Sequence, residues 1–257
     1  MNNVLANAAF GDDPRRWPLP PASTPHEFWL RAVAAGGQGR YSSAVTDLAG
    51  LLQRGGPLVS LAHSTRASFL RQLGWHDRAR RWDGLAIAMA GSDPEAGADA
   101  LIGLAADALG VGRFAASAAA LRRAGELLTR PVPPRLPVRL AWVSAELAMA
   151  SGDGPMAVGH AERAIELAAT LGSARHTVKS DVVLAAALCS VGDIDRSRVV
   201  ADAALDAAGG LGIVPLRWAL ACLLADIGSA RHSADVLRIR NECAATVRRR
   251  GGDMAGR

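Results

Sequence analysis

Apolar residues recur at spacings of three and four through long segments of the chain, and short glycine-containing turns separate those segments. This periodicity predicts amphipathic helices, and no alternating apolar and polar stretch competes as a strand. The turns are themselves periodic. Gly39, Gly74, Gly112, Gly152, Gly192 and Gly228 lie 35, 38, 40, 40 and 36 residues apart, a spacing that signals stacked pairs of helices.

Aligning the chain on those glycines exposes further columns. Seven residues before each glycine stand Ala32, Ala67, Ala105, Ala145, Ala185 and Ala221, and four before stand Ala35, Leu70, Ala108, Ala148, Leu188 and Leu224. Five after come Ala44, Ala79, Ser117, Ala157, Ser197 and Ser233. Twelve after come Leu51, Ala86, Ala124, Ala164 and Ala204, and Arg240 breaks that column. Small residues at fixed places let two helix backbones approach closely, and the apolar ones supply a buried stripe on each helix. A glycine in left-handed backbone ends the first helix of each unit, and each unit buries its remaining apolar face on the next.

Helix starts agree with this division. Thr24-Pro25-His26-Glu27 reads as a capping box with proline at the first helical position, and Ser92-Asp93-Pro94-Glu95 repeats the grammar. The expected fold is all-α, with about twelve helices. A repeat domain spans 25–250, flanked by a flexible arm over 1–24 and a disordered tail over 251–257. Pro131, Pro133, Pro134 and Pro137 form a stiff connection that allows a bend at 131–137. Trp17 is a candidate to dock the arm on the body, and either end unit could pair copies of the chain into a homo-oligomer.

The turns resemble those of the tetratricopeptide-repeat family. Gly39-Arg40-Tyr41-Ser42-Ser43-Ala44 fits the glycine–aromatic–alanine pattern best. Gly112-Arg113-Phe114 keeps glycine and aromatic with Ser117 in place of alanine, and Gly74 and Ala79 fit with His76 in the aromatic place. Gly152 and Ala157 fit with Gly154 there, while the last two units have Ile194 and Ala230. The resemblance implies a right-handed superhelical solenoid of antiparallel helix pairs. It also implies a non-catalytic scaffold that binds a protein or peptide along a concave wall.

On that wall the family pattern places the residues ten before each glycine: Trp29, Ser64, Ile102, Trp142, Val182 and Trp218. Arg71, Arg139, Glu146, Met149, Lys179 and Asp226 are neighbouring candidates. Trp29, Trp142 and Trp218 either anchor an apolar group of a partner or pack on the next repeat. Some family members clamp a terminal carboxylate. Arg139 and Lys179 stand at equivalent places here, but the asparagines of that clamp are missing, so it is not expected.

Composition refines this picture. Half of the 257 residues are apolar and 21% are charged, which excludes an acidic disordered chain. Cys189, Cys222 and Cys243 lie far apart, which points to a reducing, cytoplasmic location rather than a disulfide framework. Neither a membrane span nor a secretory leader is read from the sequence. The six histidines lack the spacing of a helical zinc site, and no phosphate loop, calcium loop or nucleophile arrangement is read. No enzyme activity, cofactor or metal is therefore expected.

The net charge of +5 is uneven, and 28 of the 29 cationic side chains are arginine. Residues 231–257 carry seven arginines against three acids, including Arg248, Arg249 and Arg250. A second excess runs from Arg113 through Arg122, Arg123, Arg130 and Arg135 to Arg139. These cations suggest an alternative, a nucleic-acid-associated regulator using the C-terminal helix and tail. The other reading of Arg248, Arg249 and Arg250 is helix termination.

Overall fold

The computed structural model describes residues 3–52 and 55–255. Among them it contains thirteen helices and no strand. In chain order they are α1 (Asn3–Phe10), α2 (Pro25–Gly37), α3 (Tyr41–Ala49), α4 (Pro57–Gln72), α5 (His76–Ala90), α6 (Pro94–Gly110) and α7 (Phe114–Leu127). There follow α8 (Arg135–Ala150), α9 (Gly154–Ala169), α10 (Ala174–Ser190), α11 (Ile194–Gly210), α12 (Val214–Ile227) and α13 (Val236–Arg249). Among the described residues no helix is long and apolar enough to cross a membrane.

The glycine periodicity has a backbone cause. Three-residue turns, 38–40, 73–75, 111–113, 151–153 and 191–193, join α2 to α3, α4 to α5, α6 to α7, α8 to α9 and α10 to α11. In each turn the residue after the glycine donates its N–H to a carbonyl in the preceding helix. The bonds are Arg40 to Ala35, Trp75 to Leu70, Arg113 to Ala108, Asp153 to Ala148 and Asp193 to Leu188, at 2.8–3.0 Å. The path between donor and acceptor requires positive φ, and all five glycines have it, at 73–87°. The sixth junction differs. Gly228 also has positive φ, 84°, but its ψ of 153° lies outside the left-handed helical region, and residues 228–235 separate α12 from α13. There the Asp202 carboxylate accepts from Ser229 Oγ and from the amides of Ala230 and Arg231.

Each helix from α2 to α13 packs on the next, and α2, α4, α6, α8, α10 and α12 pack successively on one another as an inner row. The alanines seven before the turn glycines lie on that row and are all fully buried. Their partners Ala44, Ala79, Ser117, Ala157 and Ser197 are also fully buried, and Ser197 Oγ donates to the Ala185 carbonyl at 2.7 Å. The two columns are in direct contact at that unit. Ser233 and Arg240 depart from their columns, and Ser233 is exposed beside the altered junction.

Both ends of the chain differ from expectation. The arm contains α1, which buries Leu5, Ala8 and Ala9 against α2. Its apolar side outweighs its shortness, and it stops at Gly11. Trp17 docks by its ring face beneath the Arg40 guanidinium, 3.8 Å from the ring centre. Residues 251–255 are likewise attached. Ala255 N donates to Leu73 O at 2.8 Å, and Trp75 Nε1 donates to Asp253 O at 2.6 Å. Residues 256 and 257 lie outside the described residues. Val247, from α13, is buried in the same cluster as Tyr41 and Leu73, so the first and last helix pairs meet. Pro137 falls in the first turn of α8 rather than in the connection before it.

Candidate functional site

The inner row of helices and α1 surround a cavity of about 390 Å³, within the range of ligand sites. Eight of the sequence candidates line it: Trp29, Ser64, Arg71, Ile102, Arg139, Trp142, Glu146 and Lys179. Met149 instead packs into the cluster around Leu184 and Leu188. Val182 and Trp218 pack against the cluster around Leu205 and Leu220, and Asp226 is exposed.

Trp29 and Trp142 pack on the next inner helix and also line the cavity. Trp29 Nε1 donates to Thr65 Oγ1 and Trp142 Nε1 to Ser180 Oγ, each at 2.9 Å. Each indole thus fastens its helix to the next inner helix by its polar edge, while part of the ring lines the cavity. Trp142 stacks on His176 at 5.3 Å between ring centres, and Phe10 of α1 lies 5.5 Å from Trp29.

The charged lining is a ladder along the inner helices. Arg71 on α4 pairs with Asp83 and with Asp107, the latter at 2.9 Å. Burial alone would lower its pKa, but the two carboxylates outweigh burial and raise it. Gly103 makes room for this group, since a Cβ there would collide with the Asp83 carboxylate. Burial pushes Asp83 upward against the pull of Arg71, with Asp107 adding to the rise. Arg135 on α8 donates to Glu95 at 2.6 Å and to Asp99 at 3.1 Å. Arg139, one turn on, also pairs with Asp99, and Lys179 on α10 pairs with Glu146 at 2.9 Å.

Arg175, in the first turn of α10, stands apart. It donates to the Val33 carbonyl at 3.3 Å and faces the Phe10 ring at 5.7 Å. Among the described residues no carboxylate lies within ion-pair distance of it. Burial, then the neighbouring Arg135, brings its pKa down to about 10, so it remains cationic at neutral pH. His176 beside it is held neutral, its pKa well below 6.5, by burial and then by Arg175, Arg135 and Arg139.

Sequence reasoning missed Phe10, Arg135, Arg175 and His176 as cavity residues. Arg135 stands in the sequence within the basic excess from Arg113 to Arg139, and it and Arg139 pair with the Glu95 and Asp99 carboxylates. A signal existed: Glu95, Arg135 and Arg175 stand seventeen residues before successive turn glycines, and Asp99, Arg139 and Lys179 stand thirteen before. Phe10 had no such signal, because it belongs to no repeat.

The C-terminal arginines divide. Arg248 and Arg249 are exposed, with Arg249 donating to Thr246 Oγ1 at 2.9 Å. Arg250 is not a free electrostatic contact: it donates to the Gln38 carbonyl at 2.6 Å, and its own carbonyl accepts from Ser42 N. Cys189, Cys222 and Cys243 are free thiols. Among the described residues no group of three or more His, Cys, Asp or Glu side chains is arranged to hold a metal ion.

No family model and no curated protein matches this chain in sequence. A solved structure, the crystal structure of BtubC (BKLC) from P. vanneervenii, is similar at 16% identity, covering 92% of this chain and 96% of that one, with a TM-score of 0.46.

Proposed function

We propose that the chain is a non-catalytic scaffold that holds a segment of a partner protein or peptide against its inner row of helices. One observation carries this reading: the cavity wall draws on every successive inner helix, mixing aromatic faces with paired charges. Such a wall offers an apolar anchor at Trp142 and polar groups that fix orientation. We read the helix pairs as tetratricopeptide-like repeats, antiparallel and wound into a right-handed superhelical solenoid. The shared glycine turns and the contacts between small-residue columns support this reading. The three free thiols support a reducing compartment, and we place the protein in the cytoplasm as an adaptor or regulator.

The test is recovery of a stoichiometric partner from native extract by the wild-type chain. Trp142→Ala removes the anchor, and Ser68→Trp fills the cavity from its α4 side. Each variant should lose the partner while keeping the helical circular-dichroism spectrum. Folded variants that both retain the partner would overturn the inner-wall reading.

A further inference from the structure

We propose that the cavity binds a small amphipathic monocarboxylate, with its anionic head on Arg175 and its apolar body against Trp142, Phe10 and Ile102. The proposal deepens the partner-binding reading and rests on the cavity being the binding site. It names the chemistry of the occupant.

Three consecutive inner helices carry charged residues at the same two places. The unit of α6 supplies Glu95 and Asp99, that of α8 supplies Arg135 and Arg139, and that of α10 supplies Arg175 and Lys179. The acidic unit neutralises the first basic unit, because Glu95 and Asp99 take both Arg135 and Arg139. In the second basic unit Lys179 finds Glu146, about two turns beyond Arg139 on α8. The next unit has Leu211 and Pro215 at the two places, and among the described residues no acid pairs with Arg175.

That half-buried cation has a setting that favours an anion. Arg175 and Arg135 lie in the first turns of their helices, where the exposed N–H groups and the helix dipole already favour negative charge. Each guanidinium also faces the Phe10 ring. Among the described residues the Val33 carbonyl is the one hydrogen-bond acceptor that Arg175 finds. On the same cavity lining, Arg71 Nη2 is buried with no hydrogen-bond partner among the described residues. A planar carboxylate matches a guanidinium fork. One uncompensated cation matches one negative charge, which favours a monocarboxylate over a dianionic phosphate ester. The aromatic and aliphatic lining then selects an apolar body.

The experiment titrates the full-length protein with phenylacetate, phenylbutyrate and phenylhexanoate, each paired with its neutral amide, and with inorganic phosphate. Tryptophan fluorescence and calorimetry report binding. At least one acid should bind saturably and more than about tenfold tighter than its amide, as expected for losing a charged hydrogen bond, and phosphate should bind more weakly than that acid. In folded Arg175→Gln the preference for acid over amide should vanish, and in Arg175→Lys it should partly return. Arg163→Gln, at an exposed site outside the cavity, should behave as wild type. Equal binding of acid and amide, phosphate binding tighter than every acid, no saturable binding of any acid, or an acid preference that survives Arg175→Gln overturns the proposal. If the acids fail while a partner is still lost on Trp142→Ala, only the monocarboxylate inference falls. If the partner also survives Trp142→Ala and Ser68→Trp, the cavity reading falls with it.

Discussion

The Arg250 guanidinium donates to the Gln38 carbonyl at 2.6 Å, across 212 residues of sequence. Gln38 is itself buried and holds the N-terminal segment through the Pro14 and Arg16 carbonyls. One glutamine therefore joins the arm, the first turn and the last helix. A Cβ on Gly251 would collide with the Ser42 side chain, and one on Gly252 would come within 2.9 Å of Tyr41, so the meeting of the two ends is tight. Arg250→Ala should cost about 1–3 kcal/mol, the range for a hydrogen bond from a charged donor and its orphaned acceptor. Urea unfolding of variant and wild type measures it, and an unchanged midpoint would mean that the ends are not coupled in solution.

The Arg71 group should be far less tolerant. Arg71→Ala leaves the fully buried Asp83 and Asp107 without their cation, and breaking such a pair from one side costs about 3–5 kcal/mol. Arg163→Ala, which removes an exposed pair with Glu166, should stay within about 1 kcal/mol of wild type. Similar losses in the two variants would contradict the assignment of Arg71 as an interior support of the cavity.

The small-residue columns predict a steric asymmetry. Ala185→Leu forces a larger side chain between α10 and α11 where Ser197 Oγ touches the Ala185 carbonyl. Overpacking of this kind costs about 1–3 kcal/mol. Ser197→Ala loses only the hydrogen bond, about 1 kcal/mol. Thermal denaturation of both variants checks the order, and a neutral Ala185→Leu would deny close packing at that column.

Much of the fold was legible because it repeats. Five turns share one backbone geometry, so their glycines and the buried alanines before them stood out against an alanine-rich background. The cavity was only half legible. Trp29, Ile102 and Trp142 lie on equivalent inner positions and line the cavity, but Val182 and Trp218 share their column and still pack against a side cluster. The last unit also has the long junction that Asp202 organises. The ends were least legible, since α1 and residues 251–255 gain their order from the body they touch, and nothing local to those segments encodes that contact.

Protonation of His176 gives a signed prediction. Its folded-state pKa lies below the unfolded value of 6.5, because burial and three arginines disfavour the cation. The unfolded chain therefore takes up the proton first as pH falls, so this histidine's contribution is fully present above 6.5 and is lost as pH drops toward the folded value. Asp83 acts in the opposite sense. Its raised pKa makes its contribution greatest below the unfolded value of 3.8 and loses it as pH rises. The stability difference between wild type and His176→Phe isolates the histidine, and should move against wild type as pH is lowered through 6.5. A pH-independent difference would place His176 in solvent.

The most direct test of the account is site-specific photo-crosslinking in native extract, with the photoreactive residue at Ser68 in the cavity wall or at Val199, which is 68% exposed on α11. The inner-wall scaffold predicts a discrete partner crosslinked from position 68, diminished by Trp142→Ala, with little or none from position 199. The same partner crosslinked from position 199 and absent from position 68 would contradict it.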